Sequence, residues 1–279
     1  VDPAAVLKPV LLLGVVLMVV GIGARVRLED PLLLLRRPSL TLRSLLAMYV
    51  LFPSLVLLLI WLLPLRQGVG AVLLGFAVSP VLPPWAKKGT AFGAKIDYVI
   101  GLELLSTAVS LLLVPLMIAM VERLFGVATD LDPRAMMLVL LATVVFPLGL
   151  GIGISRFFPR AAPRLAAIFD RLGSVVLLLG AVVLLGLHGP KMLMVVGEGT
   201  VLIILLVIVL GLVLGELLGG PDRGIRGALG SATVSRHPAI ALLLASGAFP
   251  QLQPTLIGTV LLYLLASLLL PVLLMRWLK

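Results

Sequence analysis

Glu103, Arg236 and His237 are the residues whose types invite chemistry, because each stands in a stretch built mostly of apolar side chains. Glu103 lies in "KIDYVIGLE", eight residues past Lys95, about 12 Å along a helix at 1.5 Å per residue. Arg236 and His237 stand in "GALGSATVSRHPAIALLLASG". A carboxylate and a guanidinium at such sites can form a forked ion pair. Glu103 or His237 can instead carry a proton, His being the side chain that titrates nearest neutrality. A pair that only props two segments together fits the residues equally well. Other chemistry is not offered. There is no HExxH, no Ser/His/Asp grouping and no paired carboxylate, and the chain has two His and no Cys. Neither a metal site, a cofactor nor an enzyme is expected. "GIGARVR" and "GLGIGIS" lack the strand-turn-helix setting of a nucleotide loop, so their glycines read as helix packing.

The elements that hold these residues are membrane helices. The 279 residues are 61% hydrophobic and 12% charged, with mean hydropathy +1.26. A soluble domain carries about 25% charged residues, so this inventory does not cover a water-facing surface. A membrane span needs about 20 residues, and the apolar runs are that long and continuous, which excludes the alternation of a β-barrel. The expectation is an all-α polytopic membrane protein with nine transmembrane helices, near 6–23, 43–63, 68–92, 95–121, 135–155, 165–187, 192–217, 223–248 and 254–275. No cleavable signal is legible at the start.

Direction follows from charge. One set of alternate loops holds fifteen Lys and Arg, among them Arg25, Arg27, Arg36, Arg37, Lys87, Lys88 and Lys279. The other set holds five: Lys8, Arg66, Arg123, Arg134 and Lys191. The excess marks the cytoplasmic side, which places the N-terminus outside and the C-terminus inside, in an expected bacterial inner membrane. The net charge of +10 is this bias, not a nucleic-acid footprint. Arg171 follows Asp170 near the cytoplasmic end of its helix, and snorkelling or a local ion pair accounts for it. Glu198 and Glu216 fall near helix ends and read as solvated.

Two spans are interrupted. "SPVLPPWAKKG" holds Pro80, Pro83 and Pro84, and "SRHP" holds Pro238. Proline removes a backbone donor and disfavours helix in the residue before it. The third helix is therefore expected to stop near Ser79 and restart with Pro84 at its first position, and the eighth to restart at Pro238. Broken backbone survives at membrane depth only when buried in protein or beside a wet cavity. One break in each half of the chain points to a transporter's central site.

These residues resemble the bile acid:sodium symporter family. "GIGARVRLEDPLLLLRRPSL" is similar to its Gly-rich helix end, acidic turn and basic-Pro motif, and "LAMYVLFP" is similar to its segment ending at Pro53. The interval from Pro80 to Pro115 equals that between two family prolines, and "ATVSRHPAIALLLA" falls on the segment "EVGMQNSGLAAALA". The resemblance runs along nearly the whole chain at low identity and is closest to the nine-helix form. It implies two inverted repeats, residues 1–124 with the broken helix 68–92 and residues 125–279 with the broken helix 223–248. It also implies a panel domain of helices 1, 5 and 6 and a core domain of the rest, with substrate in the crevice between them.

The departures from the family set the expected function. The resemblance carries one sodium site onto Trp85, Ala86, Val99, Glu103 and Ala232, and a second onto Met48, Ala232, Thr233, Ser235 and Arg236. A hard cation needs several oxygen ligands, and Trp, Ala, Val and Met side chains offer none. The reading is a secondary carrier of a small or amphipathic organic anion by alternating access, not coupled to sodium through these sites. The substrate is expected against Glu103, Arg236, His237, Ser235, Thr233, Pro83 and Trp85. Arg236 is expected to pair with Glu103 and put fixed positive charge where sodium would sit. A proton-linked carrier and a non-transporting binding or sensing protein of the same fold are the alternatives. The lipid bilayer and the anion are the expected partners, and oligomeric state carries no reading.

Overall fold

The computed structural model describes residues 3–25, 33–66, 68–129, 131–197 and 199–277; Arg27, the acidic turn at 28–30, Glu198 and Lys279 lie outside them. The described residues form helices and short connections, with no strand among them beyond a single two-residue bridge. The order is α1 (Pro3–Gly23), α2 (Leu33–Arg36), α3 (Pro38–Leu45) and α4 (Phe52–Leu62), the last two joined by a π-helical turn, Leu46–Leu51. Then come α5 (Val69–Val78), α6 (Trp85–Ala91) and α7 (Ile96–Phe125). A second π turn, Leu141–Val145, joins α8 (Pro133–Leu140) to α9 (Phe146–Phe157). The chain continues through α10 (Ala162–Val195), α11 (Thr200–Leu218), α12 (Arg223–Val234), α13 (Pro238–Ala248) and α14 (Gln253–Trp277).

Among the described residues, six helical stretches are long and apolar enough to cross a membrane: 38–62, 96–113, 133–157, 162–195, 200–218 and 250–274. Shorter apolar helices run over 9–23, 69–78 and 238–248. The outer surface of α10 is apolar, with Leu178, Leu179, Val182 and Leu193 all more than 60% exposed. A soluble protein does not present such a face, whereas lipid accepts it.

Local sequence explains the punctuation. Asp132 caps α8 by accepting from the Arg134 N–H at 2.9 Å, and Asp222 caps α12 by accepting from the Ile225 N–H at 3.2 Å, each satisfying an orphan donor at a helix start. One boundary differs from the sequence reading. The stretch 188–191, expected between two spans, lies inside α10, which continues to Val195. An interior Pro190 costs one backbone bond without unwinding the helix. The turn comes later, where Gly197 (φ +136°) and Gly199 (φ +75°) adopt left-handed conformations that other residues resist.

Packing sorts the helices. α1 lies along α10 and α9, while α5 packs on α13, and α12 on α11 and α6; α10 also meets α14. Close approach depends on missing side chains. A Cβ on Gly173 of α10 would sit 2.8 Å from the Met18 nitrogen of α1, and one on Gly75 of α5 would sit 2.8 Å from the Ala241 oxygen of α13. The second contact holds the two interrupted helices together, with Phe76, Ala77, Val234, Ala241 and Tyr263 buried in one cluster.

Candidate functional site

The two interruptions meet. α5 ends at Val78 and α6 begins at Trp85, with Pro84 as its cap and not its first residue. α12 ends at Val234 and Pro238 opens α13. Between them Val81 and Arg236 form an antiparallel bridge. The Leu82 N–H donates to Ser235 O at 2.9 Å, and the His237 N–H donates to Pro80 O at 2.9 Å. Each break thus satisfies backbone groups that the other's prolines and caps leave free.

Extended backbone sends successive side chains to opposite faces. Val81 and Arg236 share one face, which is the apolar one. Val81 packs in a buried cluster with Met48, Trp85, Ala86, Val99 and Ala232. These are the apolar residues among the sodium-site positions carried over from the family, and the fold brings all of them together in a buried apolar cluster. The Trp85 indole spends its N–H on Ser231 Oγ at 3.1 Å, and the Thr233 hydroxyl spends its proton on Leu229 O of its own helix at 2.8 Å.

Arg236 is fully buried in this region. Its Nη2 donates to Ala77 O at 2.6 Å and to Met48 O at 2.7 Å, and its Nε donates to Phe76 O at 3.3 Å. The guanidinium lies 4.9 Å from the centre of the Tyr49 ring, within cation–π reach. Both strong acceptors are orphans of the local sequence. The π turn routes the Phe52 N–H to Ala47 O, so the residue in register for Met48 O is Pro53, which has no N–H. The Ala77 carbonyl faces Val81 four residues on, but the Val81 N–H donates to Ser106 Oγ at 2.9 Å. A cation at the carbonyl end of a helix is also favoured by the helix dipole.

The expected Glu103–Arg236 ion pair is not formed. Among the described residues neither carboxyl oxygen of Glu103 has a hydrogen-bond partner, and no ion pair includes it. The guanidinium spends its Nε and Nη2 on the Phe76, Ala77 and Met48 carbonyls, and its Nη1, buried without a hydrogen-bond partner among the described residues, does not pair with Glu103. Glu103 is itself buried, on the face of α7 that carries Ser106 and Ser110. The Tyr49 hydroxyl joins that face, 2.7 Å from Ser106 Oγ and 2.9 Å from Ser110 Oγ. Sequence reasoning missed Tyr49, Ser106 and Ser231. Ser106 and Ser110 follow Glu103 at three and seven residues, one helical face, and that spacing was the available signal.

Ser235 and His237 lie on the opposite face from Arg236. Both are almost buried, and Ser235 Oγ and His237 Nδ1 have no hydrogen-bond partner among the described residues. Pro83 is also buried, next to Leu82, whose N–H donates to Ser235 O. A buried polar atom without a partner costs about 1–3 kcal/mol, which favours a bound group that completes it.

Other charges fall elsewhere than expected. Asp170 contacts Lys87 at 2.7 Å and Arg25 at 3.1 Å, not Arg171. Glu216 pairs with Arg226 at 3.1 Å. Lys87 and Lys88 lie within α6 and not in a loop, and Lys88 Nζ donates to Ser267 O of α14 at 3.3 Å. No cluster of His, Asp and Glu able to hold a metal occurs among the described residues.

No significant match is found among curated proteins. The family model described as the Sodium Bile acid symporter family matches residues 12–195, from α1 through the first interrupted helix to the end of α10. With well over half of its length matched, the chain belongs to the Sodium Bile acid symporter family, whose members are membrane transporters and not enzymes.

Proposed function

We propose that this membrane transporter is a carrier of small or amphipathic organic anions that works by alternating access and is not coupled to sodium through the family's usual sites. The observation that carries the reading is Arg236. Its guanidinium donates to Met48 O, Phe76 O and Ala77 O, while Met48, Trp85, Ala86, Val99 and Ala232 pack the rest of the region with apolar side chains. Unwound carbonyls of broken helices are what a coupling cation uses in such carriers. Here a tethered cation occupies such carbonyls, and those five side chains supply no oxygen. Ser235 and His237 face the other way with unpartnered polar atoms and are the residues offered to substrate, with Pro83 shaping the facing break between α5 and α6.

The proposed frame is nine crossings, with the N-terminus outside and the C-terminus inside, in two inverted repeats over 1–124 and 125–279. The packing of α1 on α9 and α10 supports a panel, and the packing of α5, α6, α11, α12 and α13 around the bridge supports a core. Counterflow tests the reading. Proteoliposomes loaded with pyruvate or taurocholate should accumulate the labelled anion at equal rates in sodium and in choline medium. Absence of counterflow for every organic anion tried would leave a binding or sensing protein.

A proton-linked version is favoured by one further observation. Glu103 is buried with both carboxyl oxygens unpartnered. A bare buried carboxylate is costly at membrane depth, by about 2.5–3.5 kcal/mol on insertion scales, and a proton removes that cost. The ionisable groups on elements packed around this part of α7 are Tyr49, Lys87, Lys88, Arg36 and Arg134, with Arg236 at the crossing, and none forms a hydrogen bond or ion pair with the Glu103 carboxyl. Counterflow that depends on pH in wild type and loses that dependence in Glu103→Gln would support it; an unchanged pH profile would remove it.

A further inference from the structure

The geometry points to a receiving site for a carboxylate or sulfonate formed by Lys87, Ser174 and Arg25, filled in this conformation by the chain's own Asp170. This rests on the carrier reading above and names where its anion would meet a cation. Arg236 cannot be that cation, being fully buried and engaged by three carbonyls. Lys88 is turned to the Ser267 carbonyl. Lys87 differs. It lies in α6, the half-helix that restarts directly after the first break, and its ammonium reaches across to α10. There it contacts Asp170 Oδ1 at 2.7 Å and donates to Ser174 Oγ at 2.6 Å.

Three elements converge on one carboxylate. Asp170 and Ser174 are one turn apart on α10, and the Ser174 hydroxyl donates to Asp170 O at 2.6 Å, which fixes its lone pairs toward Lys87. Arg25, just past the end of α1, holds Asp170 Oδ2 at 3.1 Å. Two cations against one carboxylate leave a net positive charge. The Lys87 and Arg25 side chains are 41% and 42% exposed, and Asp170 is 16% exposed. A dissolved anion can therefore reach both cations once Asp170 gives way. A carboxylate or sulfonate reproduces the contacts that Asp170 makes: one oxygen for the ammonium and one for the guanidinium. α6 packs on α12 and α7, whereas α10 packs on α1 and, across the proposed panel–core boundary, on α14, so the Asp170 contact is one that a movement of panel against core at this end would break. Parting them frees Lys87 to take the anion in place of Asp170.

The test measures binding of potassium pyruvate and potassium taurocholate to the full chain in phosphatidylcholine nanodiscs, where no anionic lipid competes. Removing the internal competitor in Asp170→Asn should tighten the Kd of at least one probe about two- to fivefold, the factor that an exposed ion pair is worth. Asp170→Glu, which keeps the carboxylate, should behave as wild type and shows that the position tolerates change. Lys87→Gln should weaken binding, and in the Lys87→Gln/Asp170→Asn double variant the tightening should vanish. An unchanged Kd in Asp170→Asn, no binding by that variant, or tightening that survives loss of Lys87 would each overturn the site. Counterflow by the same wild-type preparation separates the two claims. Intact counterflow with an unmoved Kd sinks this site and leaves the carrier, whereas tightening without counterflow leaves the site on a protein that does not transport.

Discussion

Arg236 donates to the carbonyl of Ala77 at 2.6 Å, from the break in one interrupted helix to the last turn of the other. That bond, with those to Met48 O and Phe76 O, gives the exposed helix end a side-chain cation as its partner. It also separates Arg236 from Glu103, which shares no partner with it.

Residues without shared partners have additive effects on stability, within about 0.3–0.5 kcal/mol. Arg236→Met strands the Met48 and Ala77 carbonyls and should cost at least about 2 kcal/mol, at roughly 1–3 kcal/mol per unsatisfied group. Glu103→Gln should cost less, because it removes no bond. Denaturant unfolding of both single variants and the double variant in mixed micelles checks the sum. Recovery of more than about 1 kcal/mol in the double variant would mean that the two charges are coupled after all.

Three glycines on α9 make an internal comparison. A Cβ on Gly151 would come within 2.7 Å of the Gly23 Cα and the Ala24 nitrogen of the α1 end, while Gly149 and Gly153 have nothing within 4 Å. Gly151→Ala should destabilise by about 1–3 kcal/mol, as overpacking does. Gly149→Ala and Gly153→Ala should be neutral, or stabilising by about 0.4–1 kcal/mol. Melting temperatures of the three variants decide it. Equal shifts would mean that α1 and α9 are not in close contact.

The helices were largely legible because apolar runs and proline punctuation are local. Pro80, Pro83, Pro84 and Pro238 located both interruptions, and each helix restarts within a residue of the expected place. The α10 boundary was misplaced because "HGPK" looks like a connection, although one proline does not end a helix. The partner of Arg236 was not legible, because the competing acceptors are backbone carbonyls. Their availability depends on the π turn before Pro53 and on Ser106 taking the Val81 N–H. The Asp170 contacts were hidden for a similar reason: Arg171 is adjacent in sequence, whereas Arg25 and Lys87 arrive only through packing.

Topology is open to a direct check. Fifteen against five basic residues in alternate loops predict a cytoplasmic C-terminus and an external N-terminus. Reporter fusions that fluoresce only in the cytoplasm should be bright at the C-terminus and dark at the N-terminus. Equal cytoplasmic signal at both ends would rule out nine crossings.

Sodium titration tests the tethered-cation account most directly. A ligand that binds the folded state at a hundred times its Kd stabilises by about 2.7 kcal/mol, which is readily seen in a thermal melt. With Arg236 on the carbonyls and Met48, Trp85, Ala86, Val99 and Ala232 around it, the melting curve should be the same in sodium as in choline at equal ionic strength. A saturable rise in melting temperature specific to sodium would contradict the account.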